Sequence, residues 1–72
     1  MVNIDKLRGK IVENRATVED VAEAIGIDKS TLYRRINTGG GMFTIEEADK
    51  IGRFLHLTAD ELNRIFFAQY VA

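Results

Sequence analysis

Residues 17–37 read "TVEDVAEAIGIDKSTLYRRIN". Thr17 is a helix-capping residue with an acid, Asp20, three positions on, the pattern of a capping box. Val21, Ala24 and Ile25 then form an apolar face at helical spacing. Gly26 stops that helix, because glycine accepts the left-handed conformation. About two residues later Asp28 provides a new N-cap, and Leu32 and Ile36, four apart, share the buried side of a second helix. A short helix, a glycine turn and a second short helix make a helix-turn-helix unit over residues 17–37. Ala22 is small enough for the two helices to approach closely, and Val21, Ile25, Ile27 and Leu32 hold them together.

The rest of the chain reads the same way. Ile4, Leu7 and Ile11 place a first helix over roughly 3–14. Gly9 within it is either a small penalty or a point where another helix comes close. "TIEE" at 44–47 opens a fourth helix, with Thr44 and Glu47 as the box and Phe43 against Ala48 as a staple. Ala48, Ile51 and Leu55 continue inward. "TADE" at 58–61 opens a fifth, with Leu57 and Leu62 as its staple and Leu62, Ile65 and Phe66 facing the core. The expectation is one all-α domain of five short helices spanning 1–72.

With 72 residues the chain can bury only about 60% of the surface it exposes when unfolded. Hydrophobic residues make up 46% and charged residues 29%. Cysteine is absent, which excludes disulfides and thiolate metal sites. No apolar run approaches the ~18 residues needed to cross a membrane, and "MVNIDKLRGK" lacks the apolar stretch of a signal peptide; the expected location is cytoplasmic. The formal charge of −1 counts against non-specific coating of nucleic acid. Residues 1–41 carry seven Lys/Arg and six Asp/Glu, residues 42–72 three and five, so a basic patch is permitted in the first half.

The helix from 28 to 37 carries the functional signal. In DNA-binding versions of this unit the second helix enters the major groove and reads bases from its N-terminal part. Arg34 is suited to a guanine edge or a phosphate. Lys29 suits a phosphate, and Ser30, Thr31 and Asn37 suit either. Tyr33 offers a ring to a thymine methyl and a hydroxyl to a phosphate. The alternative is a plain solvated helix face. Arg35 lies at the flank, able to pair with an acid of the second helix or to reach a phosphate. Gly39, Gly40 and Gly41 form a helix stop, with a backbone contact to phosphate as the second reading; no Gly-Lys-Ser/Thr follows, as a phosphate-binding loop requires.

Nothing suggests an enzyme, a metal, a cofactor or a small-molecule ligand. His56 is the only histidine and Ser30 the only serine. His56 suits a helix C-terminus, and Glu46, Glu47 and Asp49 suit a first turn. The ending "IFFAQYVA" at 65–72 either completes the core or presents Ile65, Phe66, Phe67 and Tyr70 as a two-fold dimer patch.

The 17–37 stretch resembles the helix-turn-helix of the Cro/repressor (Xre) family of phage and bacterial regulators. "MFTIEEADKIGRFLHLTADELNRIFFA" is similar to the fourth and fifth helices of small prophage-encoded members from low-GC Gram-positive bacteria. The resemblance implies a lambda-repressor-like domain that binds double-stranded operator DNA and regulates transcription as a Cro-like repressor. It implies recognition positions Lys29, Ser30, Thr31, Tyr33, Arg34 and Asn37, with Thr17 and Val18 against the DNA backbone. Two departures matter. Many members have Gln at the position of Val18, which cannot make that phosphate contact, so Thr17 or a backbone N–H must. Many have an apolar residue where this chain has Arg35, and Ile36 supplies the buried contact instead, which would turn the helix slightly. The second reading is a protein-interaction module that kept the fold without specific DNA binding.

Overall fold

A computed structural model describes residues 2–39 and 43–67. Five helices follow one another: α1 Ile4–Glu13, α2 Val18–Ile25, α3 Lys29–Asn37, α4 Ile45–Phe54 and α5 Ala59–Phe66, with no strand among the described residues. Each starts where its sequence has a capping side chain. The Thr17, Thr44 and Thr58 hydroxyls accept the N–H of Asp20, Glu47 and Glu61, and those carboxylates accept the threonine N–H in return. Asn3 caps α1 and Asp28 caps α3. Each such cap stabilises its helix by about 1 kcal/mol.

The ends of α1, α2 and α4 follow a shared rule that a glycine marks in the sequence only for α2. After α2, Gly26 takes φ +78°, its N–H donates to the Glu23 carbonyl at 3.3 Å, and the Ile27 N–H donates to the Ala22 carbonyl at 3.1 Å. This paired closure needs a left-handed residue. α1 and α4 close identically on Arg15 and His56, both at φ 56°. His56 therefore serves as the left-handed turn residue, a role distinct from the cation-at-the-terminus reading.

One core joins all five helices: Leu7 and Ile11, Val21, Ala22 and Ile25, Leu32 and Ile36, Ala48, Ile51 and Leu55, Ile65 and Phe66. α2 lies at its centre, packed on both α3 and α4, and α5 packs on α4 and α1. One expectation is corrected. Ala24 is exposed, and Ala22 takes the inward place beside Val21 and Ile25, because a 100° step carries position 24 round to solvent. Ile65 and Phe66 are 1% and 4% exposed and Phe67 packs against the core, so these three side chains follow the first of the two readings of the ending, a completed core. Tyr70 lies outside the described residues, as do Gly40 and Gly41. Phe43 reaches further than a local staple: its ring meets Phe66 edge-on at 5.6 Å, joining the start of α4 to the end of α5.

The close approach falls at Gly52, not Gly9. A Cβ on Gly52 would lie 2.9 Å from Leu62 Cδ1, so the missing side chain lets α5 press against α4. A Cβ on Gly9 would meet nothing within 4 Å, and Gly9 is exposed. Gly9→Ala should therefore stabilise the domain by about 0.5–1 kcal/mol, through helix propensity and reduced freedom of the unfolded chain. Denaturant unfolding of the two proteins checks this; a loss of stability would mean that Gly9 has a packing role. Among the described residues no helix is long and apolar enough to cross a membrane.

Candidate nucleic-acid interface

α3 is held down by Leu32 and Ile36, which are 0% and 3% exposed. That anchoring leaves Lys29, Ser30, Tyr33, Arg34 and Asn37 exposed and Thr31 half-buried. The sequence-derived recognition residues thus share one outward surface, with Arg35 as the exception.

Among the described residues, Lys29 and Arg34 make no ion pair with a carboxylate. Both cations are available to phosphates or base edges. Ser30 is more committed. Its hydroxyl donates to the Asp28 carboxylate, which also accepts the Ser30 N–H at 3.1 Å. These bonds, side chain first and backbone second, hold the Asp28 carboxyl below its ordinary pKa. Asn37 Oδ1 accepts from Arg8 Nη2 at 3.3 Å. Arg8, on α1, is therefore brought to the C-terminal end of α3. Sequence reasoning missed it, since no spacing rule relates residues 29 positions apart on separate helices.

Tyr33 is 40% exposed and its hydroxyl donates to Glu19 Oε1, in the first turn of α2, at 3.0 Å. That hydrogen bond, then burial, then the Glu19 charge raise the phenol pKa. Glu19 is a second residue the sequence reading did not single out.

Arg35 turns away from this surface. Its Nη1 lies 2.9 Å from Glu47 Oε1, and its guanidinium sits 5.6 Å from the Phe43 ring centroid. The partner acid belongs to α4, which corrects the expectation of an acid on α2. Glu47 is doubly engaged, because the same oxygen accepts the Thr44 N–H at 2.9 Å. Arg35 thus ties α3 to the start of α4. Burial raises the Glu47 pKa, but the Thr44 N–H bond and the Arg35 bond and charge outweigh it, leaving the group below its ordinary value. A carboxyl depressed in the folded state contributes stability above its unfolded pKa, lost as pH falls through the folded pKa. Glu47→Gln should remove part of the stability at neutral pH and flatten the stability profile below about pH 4.5. Urea midpoints of both proteins from pH 7 to 3 check this; parallel curves would mean that Glu47 is not a stabilising carboxylate.

Thr17 stands at the start of α2, exposed, with its hydroxyl accepting the Asp20 N–H at 3.1 Å and its own proton left to donate. Val18 is half-buried against the core and contributes nothing polar. Gly39 ends α3 at φ +89°.

Two helices locked through one core, the second offering an exposed polar and basic face, are the architecture of a helix-turn-helix domain. A family model described as the Cro/C1-type HTH DNA-binding domain matches residues 6–67, and the chain belongs to that family. No curated protein and no solved structure matches the chain.

Proposed function

We propose that this protein is a sequence-specific transcriptional regulator that binds operator DNA by laying α3 in the major groove. The observation that carries the reading is the state of α3: two buried anchors beneath, and above them Lys29 and Arg34 with no acidic partner among the described residues, beside Tyr33. In this reading Arg34 contacts a base edge. Lys29 and the Thr17 hydroxyl contact phosphates and set the register. Thr31 and the amide of Asn37 add polar contacts, and Ser30 works chiefly as part of the Asp28 cap. Arg35 positions α3 without touching DNA. A small Cro-like repressor of phage or prophage origin, acting in the cytoplasm without catalysis, is the role that fits.

Selection from random-sequence duplexes with the purified full chain tests the reading. The expected result is one enriched motif, arranged as a palindrome with half-sites one DNA turn apart if two copies bind together. No enriched motif, together with no salt-dependent binding to random duplex, would replace the reading with a protein-interaction module.

A further inference from the structure

Glu19 is an acid placed beside the surface assigned to DNA, and it is spent on the exposed aromatic of that surface. A first-turn carboxylate stabilises its own helix through the helix dipole, which explains an acid there but not its bond to Tyr33. The bond joins two helices locked through the core, so the tyrosine hydroxyl is oriented before any ligand arrives. It also changes what the hydroxyl can do. A phenol has one proton to donate and lone pairs with which to accept. With the proton given to Glu19, only acceptor capacity remains. Phosphate oxygens are acceptors too, so a phosphate gains nothing from this hydroxyl and is repelled by the adjacent carboxylate. Base edges in the major groove do offer donors: the N6 amine of adenine and the N4 amine of cytosine.

We propose that Glu19 is a specificity-determining residue, which, by taking the Tyr33 proton, converts that hydroxyl from a phosphate contact into an acceptor for an exocyclic base amine. The inference rests on the DNA-binding reading above and adds a base class to it. Tyr33 reads adenine or cytosine at one position of the site, while Glu19 lowers affinity for DNA in general.

Random-duplex titration and site selection with the full chain and the variants Glu19→Gln, Glu19→Ala and Tyr33→Phe test this. The glutamine keeps an acceptor for the tyrosine and loses the charge. It should retain the amine-bearing base and bind random duplex about two- to five-fold more tightly at low salt. Glu19→Ala and Tyr33→Phe should each relax the same single position, by about three- to ten-fold in preference, and leave the others intact. The double variant Glu19→Ala/Tyr33→Phe should relax it no further. Replacing the selected base by an analogue without its exocyclic amine should cost the wild type the same factor and cost Tyr33→Phe nothing. Both side chains are exposed, and thermal melting confirms that each variant is folded. Unchanged motifs, or relaxation at two different positions, would overturn the role of Glu19 while leaving DNA binding in place. A wild type without salt-dependent affinity for any duplex would overturn both.

Discussion

Leu32→Ala should cost the domain about 2–5 kcal/mol. Leu32 is 0% exposed and belongs to the core that joins α3 to α2 and the other helices. Truncation removes transfer free energy and leaves a cavity that a five-helix domain with short connections has little freedom to close. A chain of this size has a total stability of roughly 4–11 kcal/mol, so a large share disappears with one side chain. The melting temperature should fall by about 10 °C or more. Thermal unfolding followed by circular dichroism measures it. A decrease of only a degree or two would show that α3 does not depend on Leu32, and that its outward face is not fixed in the way described.

The second large effect concerns binding. Arg34→Ala should weaken the specific complex by about 1–3 kcal/mol and relax one position of the selected site. Its guanidinium is exposed on α3 and makes no ion pair among the described residues, so removal leaves no buried group unsatisfied and the fold intact. Lys29→Ala should behave differently. It should weaken all sequences alike and reduce the slope of log affinity against log salt by about one. Titrations of the selected site and of random duplex at several salt concentrations separate the two. Equal losses on both DNAs in the Arg34 variant would remove it from base reading.

The residues differ in how far ahead they could be read. The capping boxes at Thr17, Thr44 and Thr58 are local devices, complete within four residues, and the structure contains all three. The buried positions of α3 were equally legible, because Leu32 and Ile36 have no competitor for the inward side. What was not legible depends on partners distant in sequence or on backbone conformation. Arg15 and His56 end their helices left-handed without glycine, so no residue type marks the stop. Gly9 looked like a close approach and Gly52 is one, a difference that exists only once α5 has packed. Arg35 found Glu47, which was already explained as a capping acid and so seemed to need no partner. Arg8 and Glu19 come to α3 from other helices, and α3's own sequence does not mention them. The outward face was therefore readable as a set of residue types, whereas their mutual bonds, which decide what each is free to touch, were not.

The central claim is that α3, with the start of α2 beside it, is the surface that meets DNA. Amide chemical-shift mapping tests it most directly: isotope-labelled full chain is titrated with a duplex carrying the selected site. The predicted result is that the largest changes fall on Thr17 to Glu19 and on Lys29 to Arg34, while α1 and α5 move little around the groove lined by Gly9, Lys10 and Glu61. Changes confined to that groove, with α3 unmoved, would contradict the account.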